Sequence, residues 1–330
     1  MGVVLCVPTL SLLDRSRTRS GFPEGAALRH SVARAQDAER LGYHRFWAAE
    51  HHAVPGIASG SPAVLLAAVG AATETIRLGS GGVMLPNHQP LVVAEQFLML
   101  AALHPGRIDL GLGRSLGFTP PVREALRRDA DAPDTFADDV REVASYLDRT
   151  ASVTAHPVAA DPVPLFVLAT GRGVAVAAEL GLPVVIGGPV LATPELDDVL
   201  ASYRTVFRPT ARGPARPSVV VSADVLVADT EDEARDLALP EAWAMARSRQ
   251  TGVFPALEPI AVLRAQTPTP RFADHVAASQ ARSITGTPTS VALRIEELLE
   301  RTGADELLAS GATYDREAQR ASDAALAALF

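Results

Sequence analysis

The chain has 330 residues, of which 48% are apolar and 21% charged, and its net charge is −8 at pH 7. This suits a soluble protein with a sizeable core, built as one large domain or two ordinary ones, and offers no basic field to nucleic acid or an anionic membrane. All thirty basic residues are Arg, which removes Schiff-base chemistry and the P-loop lysine, and the lone Cys6 removes an internal disulfide, a CxxC site and a thiolate metal cluster.

In chain order, Gly2–Val7 reads as a buried strand ended by Pro8. Its apolar run Val3–Val7 has no basic segment before it and is too short for a signal core or a membrane span, so the expected location is the cytoplasm. Thr9 to Glu24 reads as an Arg-rich loop, Gly25–Leu41 as a helix with Gly42 as its C′ residue, and Tyr43–Ala48 as a strand. A helix starts at Pro62, and Ile76–Val83 forms a strand interrupted by glycines. The pattern continues with a helix over Leu91–Leu103, a strand over Arg107–Gly113 and a helix around Pro133–Thr150.

The second half repeats this rhythm. Strands are expected at Val163–Ala169, Leu182–Ile186, Ser218–Val227 and Asp305–Ser310. Helices are expected at Val174–Leu180, Pro194–Phe207, Thr230–Met245, Pro288–Arg301 and Asp315–Leu329, with a capping box at Thr230 and Glu233. Residues 250–286 read as a long, Pro-rich, irregular insertion. About eight strands, each followed by a helix, argue for an α/β fold with a parallel sheet, and at this length for a single (β/α)8 TIM barrel domain over residues 1–330. Such a barrel gathers the C-terminal ends of its strands on one rim.

Four motifs fall at those ends. Glu50-His51-His52 follows the Tyr43–Ala48 strand; an imidazole there can move a proton near neutral pH, or the pair can tie down the rim. The adjacent histidines lack HxH or HxxxH spacing and show no third ligand, so no metal is expected. Gly81-Gly82 lies inside a strand, where bare backbone suits either a bulge or a flat ligand. Arg114 leaves a buried strand as a charge suited to a phosphate or carboxylate, or to an ion pair with Glu50. Thr170-Gly171-Arg172-Gly173 opens a helix and reads either as a phosphate cradle or as an ordinary connection. Gly111-Leu112-Gly113 misses the dinucleotide fingerprint, and no G-x-S-x-G elbow is present. Asn87-His88 and Glu95 flank the helix over Leu91–Leu103, with Glu95 available to a rim Arg.

The blocks Phe46 to Ala58, Gly79 to Phe97 and Pro105 to Arg114, followed by Ala177 to Pro183 and Thr302 to Leu307, resemble the bacterial luciferase-like flavin-dependent monooxygenases, in particular the non-bioluminescent members of secondary-metabolite (antibiotic biosynthesis) pathways. The resemblance implies a homodimeric (β/α)8 barrel using reduced FMN from a separate flavin reductase. It also implies a C4a-peroxyflavin that hydroxylates or epoxidises a small organic substrate. It makes His51 the catalytic residue and sets Gly81 and Gly82, with a non-proline cis peptide, beneath the flavin ring. Arg114, Thr170, Gly171, Arg172 and Gly173 become the flavin phosphate and ribityl contacts. Gly113 stands where luciferases carry cysteine, so light emission from aldehydes is not implied. The same fold also allows an F420-dependent oxidoreductase or a non-catalytic flavin-binding relative.

Overall fold

The computed structural model describes residues 8–116, 119–128, 131 and 133–330. In chain order the first elements are β1 (Thr9–Asp14), α1 (Gly25–Arg40), β2 (Arg45–Ala48), α2 (Pro62–Ala72), β3 (Arg77–Ser80) and β4 (Val83–Met84). A 3-10 turn over Leu85–Asn87 leads to α3 (Pro90–Leu103), β5 (Ile108–Gly113), α4 (Pro120–Ala125), α5 (Phe136–Leu147), β6 (Leu165–Leu168), α6 (Arg172–Glu179) and β7 (Val184–Gly187). After a second 3-10 turn come α7 (Glu195–Val206), β8 (Val219–Val227), α8 (Glu231–Thr251), α9 (Ile260–Arg264), α10 (Pro270–Arg282), β9 (Ile284–Gly286), α11 (Pro288–Thr302), β10 (Glu306–Ser310) and α12 (Arg316–Ala327). Among the described residues no helix is long and apolar enough to cross a membrane.

Several expectations need correction or restriction. The strand expected at Gly2–Val7 lies outside the described residues. The loop expected from Thr9 begins instead as β1, because its polar residues are buried alongside its leucines: Leu10, Leu12 and Leu13 are buried, and so are Ser11 and Asp14. The segment 250–286 is not irregular. Thr269 caps α10 by accepting the Phe272 N–H, and Pro270 occupies its first turn, where its missing N–H costs nothing.

The chain divides into two compact units, one made of the described residues up to His44, Val54–Ala58 and Val220–Phe330, the other of Arg45–Ala53 and Ser59–Val219. In the first, β10 lies between β1 and β8, parallel to both, with Leu12 opposite Ala309 and Leu307 opposite Val221. β9 runs parallel to β8. Helices α8, α9 and α10 share a cluster of Trp243, Leu263, Phe272 and Val276, in which the Trp243 and Phe272 rings meet edge to face at 4.8 Å. α8 ends at Gly252, whose φ of +72° is the left-handed cap that stops a helix.

One cluster of buried charge in this unit is paired. Arg34 on α1 donates to Asp14 at 3.0 Å and, through two nitrogens at 2.7 and 2.8 Å, to Asp323 on α12. Burial pushes the Asp14 carboxyl up, but Arg34, Ser31 and the Ser16 N–H together bring it below the usual range. A one-sided loss here would strand a buried ion.

In the second unit β2, β3, β5, β6 and β7 pair in that order, all parallel, and β4 lies against β5. The single strand expected over Ile76–Val83 is two short ones, separated by Gly81-Gly82, whose peptide bond is cis. Phe46, Trp47, Leu78, Leu110 and Leu112 are fully buried beneath the covering helices. Burying each contributes roughly 1.5–3 kcal/mol. At the centre Asp109, fully buried, accepts from Arg45 at 2.7 Å and from the Trp47 indole at 3.3 Å, so the charge is compensated where no water reaches it.

Candidate active site

The parallel register of the second unit lines up its strand ends. Ala48 pairs with Ser80, Met84 with Gly113, and Gly113 with Leu168. The residues that follow therefore leave the sheet on the same side: Glu50-His51-His52 after β2, Gly81-Gly82 after β3, Arg114 after β5 and Thr170 after β6. All the residues expected at the site belong to this one unit.

The loop after β2 is pinned by its own backbone. The His51 N–H donates to the Ser59 carbonyl at 2.9 Å, and the Ser59 hydroxyl donates to the Ala49 carbonyl at 2.6 Å. Ser59 is buried, as is Glu50, so the loop cannot swing freely about β2. His51 is half-buried at the sheet edge.

Glu50 does more than the sequence suggested. Its Oε1 accepts from His52 Nε2 at 2.6 Å and from His88 Nε2 at 2.6 Å, and its Oε2 accepts the Met84 N–H at 3.0 Å. An ionised carboxylate only accepts, so both Nε2 atoms carry the proton. Burial pushes the Glu50 carboxyl up; the hydrogen bonds from His52, His88 and Met84 outweigh it and hold the group at about 2. The sequence placed His88 only as a neighbour of the following helix. Its link to Glu50 comes from the 3-10 turn after β4, which no local pattern announces.

Gly81 and Gly82 present backbone without side chains. The Gly81 N–H donates to the Ala48 carbonyl at 2.8 Å. A Cβ on Gly82 would lie 2.8 Å from the Gly111 carbonyl oxygen and 3.0 Å from Leu168 Cδ1, closer than real side chains sit. Ser80 locks this floor to β5: its hydroxyl donates to the Gly111 carbonyl at 2.8 Å and accepts the Gly111 N–H at 3.0 Å.

Arg114 does not reach Glu50. Its guanidinium pairs with Asp134 at 2.5 Å, both side chains being close to half exposed. The Arg114 hydrogen bond lowers the Asp134 carboxyl, and Arg172 adds a smaller pull in the same direction. Asp134 thus pairs with Arg114 and lies within the electrostatic reach of Arg172. Thr170, Gly171 and Arg172 are exposed at the start of α6, whereas Gly173 is buried, with its Cβ position 2.8 Å from that of Ala169. Glu95 binds no rim arginine; it accepts the His156 N–H at 3.3 Å.

The donor set suits a flavin mononucleotide. Open N–H groups at the α6 N-terminus, a hydroxyl and two guanidiniums match a phosphate, and a side-chain-free backbone floor suits a flat ring. Glu50, His52 and His88 together form a set of three groups whose ligand atoms all lie within 4.8 Å of one another.

Residues 9–306 match the family model of the luciferase-like monooxygenases. A luciferase-like monooxygenase of Escherichia coli (strain K12) is 37% identical over 317 residues, covering 94% of this chain and 93% of the relative. The crystal structure of apo-MsnO8 superposes with a TM-score of 0.86 at 31% identity, covering 98% of this chain and 97% of the other. Two more distant structures share the fold: the FMN complex of the oxygenating constituent of 3,6-diketocamphane monooxygenase from Pseudomonas putida, at 17% identity with a TM-score of 0.73 and 97% and 96% coverage, and an F420-dependent secondary alcohol dehydrogenase, at 15% identity with a TM-score of 0.69 and 98% coverage of each chain. The fold is the (β/α)8 barrel, and the chain belongs to the luciferase-like monooxygenase family.

Proposed function

We propose that this protein is a two-component monooxygenase that takes reduced FMN from a separate flavin reductase and hydroxylates or epoxidises a small organic molecule. The observation that carries this reading is the Gly81-Gly82 floor. It is bare of side chains and leaves the sheet between β2, which ends before His51, and β5, which ends before Arg114. Thr170, Gly171, Arg172, Gly173 and Arg114 would hold the phosphate and ribityl chain. Reduced flavin, when bound, supplies the electrons that activate oxygen.

In this reading His51 holds or delivers a proton beside the flavin ring. Glu50 and His52 are positioning residues, keeping the loop after β2 in place. Asp134 stands in for the phosphate on Arg114 and gives way when the cofactor arrives. Helices α2 and α3 carry exposed Val64, Val92, Met99 and Leu103, an apolar surface that suits a second copy of the chain.

Anaerobic titration with FMNH2 and with reduced F420, followed by mixing with oxygen, tests the proposal. Binding of FMNH2 with oxygen-dependent product formation is expected. Binding of F420 alone would make the protein a hydride-transfer enzyme of the same fold, and binding without turnover across a substrate panel would favour the non-catalytic reading.

A further inference from the structure

Glu50 poses a charge problem that the flavin reading leaves untouched. Its side chain is 1% exposed, and its hydrogen-bonded partners are two imidazoles and one backbone N–H, with no guanidinium among them. Buried charges are paired with an opposite charge or coordinate a metal.

The same three side chains form a ligand set. Glu50 Oε1, His52 Nε2 and His88 Nε2 lie within 4.8 Å of one another, and both imidazole-to-carboxylate distances are 2.6 Å. The ligands come from two separate segments, the loop after β2 and the turn after β4, and the two rings are tilted 48° with centroids 6.3 Å apart. The side chains of His52 and His88 are 21% and 28% exposed, which leaves an entry path and room for water to complete a coordination sphere. The remaining carboxylate oxygen is already oriented by the Met84 N–H, the kind of outer hydrogen bond that fixes metal ligands.

We infer that Glu50, His52 and His88 form a binding site for a divalent first-row transition metal ion. Two imidazoles and one carboxylate without thiolate suit Zn2+, Cu2+, Ni2+ or Fe2+ and leave open positions for water. On binding, each ring presents its Nε2 lone pair to the ion and carries its single proton on Nδ1. Tetrahedral coordination at ordinary bond lengths needs imidazole-to-carboxylate separations of roughly 3.3 Å, a small opening that side chains on loop segments can supply. The set shares Glu50 and His52 with the loop that positions His51, and its occupancy is measured without flavin, so the two readings are tested separately.

The test uses the full chain, stripped of metal by a chelator and dialysed. Titration with ZnCl2 is expected to show one ion per chain and a higher unfolding midpoint. His88→Gln and His52→Gln are each expected to weaken Zn2+ by at least about tenfold, whereas His275→Gln on α10 leaves it unchanged. Co2+ as a spectroscopic probe of the unmutated protein covers the case in which a variant fails to fold; visible bands of a four- or five-coordinate ion with imidazole ligands are expected. The inference is overturned if the unmutated protein binds no Zn2+, if the His52 and His88 variants bind it as well as the parent, or if Co2+ keeps the spectrum of its hydrated ion. FMN binding that persists after any of these outcomes leaves the proposed function standing.

Discussion

His88 donates its Nε2 proton to Glu50 Oε1 over 2.6 Å, joining the end of the turn after β4 to the end of β2 across 38 positions of sequence. Because His52 shares the same oxygen, the Glu50 carboxylate fixes the rotation of both rings at once. Glu50→Ala is therefore expected to loosen both loops and leave two imidazoles and the Met84 N–H without their acceptor. The expected cost is on the order of 1–3 kcal/mol of stability, read by denaturant unfolding. Turnover should fall more steeply than FMN affinity, since the flavin floor is untouched. A variant as stable as the parent would show the three hydrogen bonds to be dispensable.

Gly82→Ala introduces a methyl group 2.8 Å from the Gly111 carbonyl oxygen. The neighbouring atom is backbone, so the clash is relieved only by moving β5. A loss of about 1–3 kcal/mol is expected, along with weaker FMN binding, measured by flavin fluorescence quenching. Unchanged affinity would remove the glycine floor from the cofactor site.

Arg114 and Asp134 make opposite predictions. Losing the Arg114 guanidinium should remove a charge-assisted hydrogen bond to the phosphate, worth about 1.5–3 kcal/mol, so Arg114→Met is expected to weaken FMN by roughly ten- to a hundredfold. Asp134→Asn should release Arg114 and tighten FMN. Riboflavin, which lacks the phosphate, should be insensitive to both changes, and parallel titrations with the two flavins separate a phosphate contact from general damage.

The first unit carries its own pH dependence. Burial, followed by the neighbouring Arg19, holds His30 down to about 4, against 6.5 for the free side chain. Between these values the unfolded chain binds a proton that the folded chain refuses. This contribution is thus fully present above pH 6.5 and is lost progressively as the pH falls toward 4. His30→Gln should flatten that part of the stability curve, as followed by thermal unfolding at a series of pH values. An equal slope in the variant would show that other groups set the acid limit.

The exposed apolar side chains of α2 and α3 predict self-association. Met99 and Leu103 are 55% and 65% exposed on one helix. Met99→Glu with Leu103→Glu should convert a dimer to a monomer in sedimentation velocity while leaving the circular dichroism spectrum unchanged. A parent protein that sediments as a monomer at every concentration would refute the dimer outright.

What the sequence alone determined is what local chemistry dictates. Apolar runs such as Val184–Ile186 find strands because nothing polar interrupts them, and Thr230 with Glu233 starts α8 because the cap is made within one turn. The alternation of strand and helix then implies the barrel, and the barrel places Glu50, Gly81-Gly82, Arg114 and Thr170 at strand ends. The tertiary structure alone decided the partners. β1 was hidden because Asp14 looked like a loop residue until Arg34 and Ser31 buried it, and Arg34 is itself neutralised by Asp323, 289 positions away. Arg114 turned to Asp134 rather than to Glu50, and Glu50 gathered His88 as well as His52. Such choices depend on where loops travel after leaving the sheet. Only the folded chain brings those distant groups within hydrogen-bonding reach, so no spacing along the sequence encodes them.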